Sequence, residues 1–228
     1  MKFDLEKDKL LILLVITDLV FVFLHILYVY TDLLPSSLYS LSRDRGYSEF
    51  FQFAKELWII VLFLLLGVKQ RRGLYYVFSF LFLYFLIDDS LELHERMGEL
   101  LADFLHIQPA LGLRSLDFGE LLVSAVFGLL FAISLAVFYF LSDSFMRKVA
   151  FSLIFLIVIL AVFGVLVDMI EITITQPVLN DILVIIEEAG EMLIMSVITW
   201  FVFRLNLYDD QISPPRLPHS WRKFSKTG

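Results

Sequence analysis

Residues 121–141 read LLVSAVFGLLFAISLAVFYFL, residues 149–167 read VAFSLIFLIVILAVFGVLV, and neither stretch holds a charged side chain. A hydrocarbon core of ~30 Å is crossed by about 20 apolar residues rising ~1.5 Å each, so each run can span a bilayer as a helix. Working outward, the same pattern recurs with polar interruptions. Residues 10–30 carry Thr17, Asp18 and His25, and residues 50–68 carry Lys55 and Glu56. Residues 73–87 are short alone, but their helical pattern continues into a segment rich in carboxylates. Residues 182–203 form the last run and contain Glu187, Glu188 and Glu191.

Bulk composition agrees. Of 228 residues 59% are apolar, and mean hydropathy is +0.83, whereas soluble domains sit near 45–50% apolar. A water-surrounded fold of this size has no interior large enough for that much apolar surface, so lipid is the expected solvent and partner. Cysteine is absent, which excludes thiol catalysis, thiolate metal sites and iron–sulfur clusters. A net charge of −7 offers no basic face for nucleic acid. The first run is too long for a secretory signal and no small-residue cleavage site follows it.

Loop charges set an expected orientation. Lys69, Arg71 and Arg72 separate the second and third runs, and Arg147 and Lys148 the fourth and fifth. Lys2, Lys7 and Lys9 precede the first run, and Arg216, Arg222, Lys223 and Lys226 follow the last. Residues 172–181 hold no Lys or Arg. The positive-inside rule then predicts a cell-membrane protein with both termini cytoplasmic. The expected fold class is all-α, a polytopic bundle of about six transmembrane helices near residues 10–30, 50–68, 73–92, 121–141, 149–168 and 182–204. These make one domain over residues 1–208, followed by a basic, proline-containing cytoplasmic tail over 209–228.

Between the third and fourth runs, Leu93, Met97, Leu100, Leu101 and Phe104 recur at helical spacing opposite Glu92, Glu95, Glu99 and Asp103. That pattern predicts one interfacial amphipathic helix, ended by Pro109. Asp117 followed by Glu120 predicts a capping box at the start of the fourth transmembrane helix.

Depth arithmetic gathers the polar groups. Asp88 and Asp89 lie roughly 23 Å from the cytoplasmic start of their helix, in the outer quarter of the core. His25 reaches a similar height, Lys55 falls at that level, and Asp18 lies near mid-membrane. The fifth helix ends at Asp168 and Glu171. The sixth descends from there, bringing Glu187 and Glu188 roughly 8 Å in and Glu191 further. Spacings of three, four and seven residues stack each set on one helix face. A charge at the bilayer centre costs at least ~2.5–3.5 kcal/mol. Crowded carboxylates also repel, so they demand protons or cations. Positive partners in the layer are few: Lys55, Arg96, His25 and His94.

A bound divalent cation, of undetermined identity, is the simplest expectation from that imbalance. Its candidate ligands are Asp88, Glu92, His94, Glu187, Glu191, His25 and Asp168. A carboxylate left unligated, Glu188 or Glu95, is the candidate general base. Lys55 is expected to pair with a carboxylate rather than snorkel to the surface.

The stretch Asp88-Asp89-Ser90-Leu91-Glu92-Leu93-His94-Glu95 resembles the DD…LHE signature of a group of uncharacterised polytopic bacterial membrane proteins. Glu187-Glu188-Ala189-Gly190-Glu191-Met192 is similar to the same group's EExxEM segment. The resemblance implies a six-helix membrane protein and carries no activity with it. Other families fit less well. Membrane prenyltransferases share acid doublets but have more helices and basic diphosphate-binding residues. His94-Glu95-Arg96-Met97-Gly98 matches the HExxG of zinc-transporting ZIP proteins without their companion HNxxD motif, and it is not the HExxH of a zincin.

Three functional classes therefore stand at this point. One is a metal-dependent membrane enzyme acting on a lipid or other amphipathic substrate. The second is a cation or proton-coupled transporter using the acids as a relay. The third is a non-catalytic, metal-stabilised sensor or assembly factor.

Overall fold

The structure, a computed structural model, describes residues 8–110, 112–174 and 176–212; residues 213–228 of the expected tail lie outside them. Among the described residues eight α-helices follow one another: α1 Lys9–Tyr30, α2 Tyr47–Gln70, α3 Gly73–Leu91, α4 Leu93–Phe104, α5 Ser115–Phe140, α6 Ser144–Ala161, α7 Asp168–Thr173 and α8 Pro177–Ile212. A wider π-helical turn, Val162–Val167, joins α6 to α7 without a break. No β-sheet occurs among the described residues. Among the described residues five helices are long and apolar enough to cross a membrane: α1, α2, α3, α5 and the continuous rod from Ser144 to Thr173. The chain is thus an all-α, multi-span membrane protein.

The α2–α3 hairpin is the centre of the fold. Arg71 closes α2 in the left-handed conformation (φ 56°), its N–H donating to the Gly67 carbonyl at 2.8 Å. The antiparallel pair then buries Phe63 against Tyr75, Phe78 and Phe82, with Phe63 stacked on Phe78 at 5.5 Å between ring centroids. Met146, Ala150 and Leu153 of α6 and Met195, Ile198 and Val202 of α8 complete this dry core. Outward faces carry Leu13, Ile16 and Phe23 on α1 and Leu129, Ile133 and Val137 on α5, all exposed. Such surfaces are stable against hydrocarbon and not against water.

α1 is largely exposed along its outward face, and buried polar contacts tie it to its neighbours at several heights. Asp8 accepts from Arg204 at 2.9 Å and from the Trp200 indole at 3.0 Å. Further along, Asp18 accepts from Lys55 at 3.1 Å and from the Ser196 hydroxyl at 2.5 Å. Lys55 also donates to the Met192 carbonyl at 2.9 Å. It is therefore paired with a carboxylate, as expected, and that carboxylate comes from the first helix.

The corner between α3 and α4 turns at Glu92, a non-glycine residue at φ 53°. α4 then packs so closely on the start of α5 that a side chain on Gly119 would collide with the Gly98 backbone. Two glycines are needed there because the two backbones touch. A capping box does open α5, shifted by three residues from the expected one: Arg114 is the N-cap and Asp117 the N3 residue. The helix begins at Ser115, and Asp117 accepts from the Arg114 backbone N–H at 2.7 Å and from its guanidinium at 2.6 Å. A carboxylate in the first turn is favourable with the helix dipole, and Arg114 supplies a stronger partner than Glu120 could.

Candidate functional site

A cavity of about 1280 Å³ runs between α2, α3, α5, the α6–α7 rod and α8. Its wall on the α3 side extends from Gly73 to Glu92, which is ~28 Å of helix, close to a bilayer core. The end nearer Gly73 is aromatic, lined by Tyr76, Phe80, Phe127, Phe131 and Phe138. Tyr84 stacks on Phe127 at 4.3 Å between centroids where the aromatic part meets the polar part.

The other end is acidic. From α2 come Glu49 and Glu56, from α3 Asp88 and Asp89, and from the corner and α4 Glu92 and Glu95. Glu120, Asp168, Glu187, Glu188 and Glu191 close the ring, with Asp44 at the rim. Twelve carboxylates thus share the wall with two arginines, Arg43 and Arg114, and one histidine, His94. Glu191 fits into a notch at Gly164 on the π-helical turn, where a Cβ would strike its carboxyl. The extra residue of a π-turn displaces backbone locally, and such turns recur at functional sites.

Asp88 and Glu92 are engaged by the protein itself. Asp88 accepts the His94 backbone N–H at 2.8 Å, and its other oxygen lies 3.1 Å from His94 Nδ1. That contact holds the α3–α4 corner. With Glu120 and Glu95 adding negative potential, it raises the His94 imidazole from 6.5 to about 9. Glu92 pairs with Arg45 at 3.0 Å and Arg96 at 3.3 Å. His25 does not line the cavity. It is buried on the α1 side, where its Nδ1 accepts the Leu41 backbone N–H at 3.1 Å and anchors the α1–α2 loop.

These placements correct the expectation of a metal centre. Among the described residues no group of three or more His, Cys, Asp or Glu is placed to hold a metal ion. The bound divalent cation, the metal-dependent enzyme and the metal-stabilised sensor are therefore not supported. The physical reason is geometric. Asp88, Glu92, His94 and His25 spend their lone pairs or charge on loop and corner contacts. Asp168, Glu187 and Glu191 are neighbours on the wall but do not converge on one point as ligands must, and depth alone could not show that the wall encloses a hollow. Glu188 lies on the α8 wall with Glu49 and Asp44 as further acidic neighbours. Glu95 sits on α4 beside His94 and Glu120.

A family model, Domain of unknown function (DUF8692), matches residues 11–207. The chain belongs to this family. No curated protein and no solved structure matches it. The DUF8692 match takes in both acidic segments and every cavity-lining helix.

The α2 wall holds groups that depth arithmetic passed over. Ser48, Gln52 and Glu56 lie four residues apart on one face, with 5%, 8% and 0% of their surfaces exposed. Among the described residues, neither Glu56 oxygen, nor Gln52 Oε1, nor Ser48 Oγ has a hydrogen-bond partner. The close polar contact of Glu56 is another acid, Asp89, a carboxyl–carboxyl pairing that brings no basic partner and needs a proton on one of the two. Three polar residues at intervals of four on one helix face were a readable signal in the sequence.

Proposed function

We propose that this DUF8692 protein is a membrane-embedded binding protein for an amphipathic cation, whose charged head enters the acidic end and whose apolar tail lies along the aromatic end. The carrying observation is the cavity wall itself, with twelve carboxylates against three basic side chains at one end and five aromatic rings at the other. Buried acids without basic partners are costly and mark functional positions in membrane proteins. A cation supplied by the ligand offsets that cost, and an apolar tail displaces poorly bonded water from the aromatic end. Glu188 and Glu95 then contribute charge and hydrogen-bond acceptance, with no bond-breaking role.

In the same reading α8 is the sixth crossing, α4 lies in the interface on its exposed Met97, Leu100 and Phe104, and both termini are cytoplasmic. A single cysteine at Gln70, in this cysteine-free chain, should be labelled from the cytoplasmic side alone. Labelling from outside reverses the orientation.

The binding reading is tested with equal-tailed amphiphiles and the purified full chain. Dodecylamine should be retained in native mass spectra and raise the melting temperature, while dodecanol and dodecanoate should do neither. Equal retention of all three would show a greasy groove with no preference for cations.

A further inference from the structure

The unpartnered row on α2 narrows the head group, given the amphipathic-cation reading on which this step rests. We infer that the head carries at least two N–H-bearing ammonium groups, laid along Ser48, Gln52 and Glu56 as a polyamine would lie. Residues four apart on a helix are separated by ~6 Å along its axis, so the row offers acceptors at successive ~6 Å steps. Protonated amines joined by short alkyl chains repeat on a similar scale.

The acids around the row fall into two tiers. Glu56 has Asp89 and Glu191 as acidic neighbours. About two turns away along α2, Glu49 has Glu188 and Asp44 around it, with Asp89 common to both tiers. Gln52 stands between the tiers, its Oε1 buried and unpartnered. A single ammonium can neutralise one tier only. Two linked by a short chain neutralise both, and their N–H groups reach the Gln52 and Glu56 acceptors.

A quaternary ammonium carries charge and no donor. Packing it against this row would exclude water and leave buried acceptors unsatisfied, which is the costly half of a lost hydrogen bond. The built feature is therefore hydrogen-bond acceptance at two levels, beyond general negative potential.

The experiment compares dodecyltrimethylammonium, dodecylamine and N-dodecylputrescine on the purified full chain, with dissociation constants from native mass spectrometry or calorimetry. The putrescine conjugate should bind at least ~tenfold more tightly than the monoamine, and the quaternary compound should bind least well. Glu56→Gln and, separately, Gln52→Leu should shrink the diamine advantage while monoamine binding persists; two sites guard against one variant failing to fold. Equal affinity of the quaternary compound and the diamine would overturn the polyamine inference and leave the cation reading standing. If none of the three binds better than dodecanol, both fall together.

Discussion

Lys55 and Glu56 are adjacent in the chain, both charged and both wholly buried on α2, yet they live in opposite environments. Successive helical positions point ~100° apart, so one faces α1 and α8 while the other faces the hollow. The Lys55 ammonium donates to Asp18 at 3.1 Å, Met192 O at 2.9 Å and Ser196 at 3.3 Å, which uses its full complement of three protons. No basic or amide donor among the described residues reaches either oxygen of Glu56, whose close polar contact is another carboxyl, Asp89. The lysine is closed off by the chain's own groups and belongs to the architecture. The glutamate is left open, a condition native folds rarely tolerate away from a site that receives something. The same contrast runs through the whole molecule, from the dry Phe63–Phe78 core to the acid-lined hollow.

The largest expected effect comes from breaking the closed side. Lys55→Met strands Asp18 with only the Ser196 hydroxyl, and removing one partner of a buried ion pair typically costs ~3–5 kcal/mol. The variant should unfold at markedly lower temperature or denaturant in detergent. Adding Asp18→Leu should recover most of the loss, since an apolar pair of similar volume is often as stable as the ion pair. A single variant as stable as wild type would mean that the pair does not hold α1 in place.

The open side should respond with the opposite sign. Glu56→Leu removes buried acceptors that no basic group satisfies and relieves the crowding with Asp89, so the ligand-free protein should gain stability, on the order of 1–3 kcal/mol. Gain of stability with loss of amine binding is the trade expected of a functional site. If Glu56→Leu destabilises the empty protein, the carboxyl has a structural partner and the contrast with Lys55 collapses.

Much of this was legible in the sequence, and the limits have a physical cause. Charge-free runs such as residues 121–141 gave the helices, because length and apolarity alone decide whether a segment can span a bilayer. Helical rise gave heights, and Asp88, Asp168 and Glu187 do reach one cavity. Azimuth was not legible, because it depends on which helices pack together. His25 was therefore grouped with the acids although it faces the α1–α2 loop, and the acids were expected to converge on a metal when they line a wall. Glu92 shows a second limit. Its left-handed backbone breaks α3 from α4, whereas the acidic spacing across residues 88–99 reads as one continuous face.

The smallest effect sharpens the comparison at the rim, where a pair is neither closed off nor left open. His94 meets Asp88 at 3.1 Å with 32% of its side chain exposed, so solvent and salt weaken the contact. Its imidazole is raised from 6.5 to about 9, chiefly by the Asp88 contact. The folded protein therefore binds this proton more tightly than the unfolded chain does. The resulting stabilisation is fully present below pH 6.5 and disappears as pH rises through about 9. The melting temperature should fall across that window, and His94→Gln should fall less. Asp88→Asn is the more telling variant, because an amide oxygen still accepts the His94 backbone N–H while the charge is gone. It should preserve the corner and flatten the pH dependence. If wild type, His94→Gln and Asp88→Asn all show the same slope between pH 6.5 and 9, the slope belongs to the acids of the hollow and the corner pair contributes none of it.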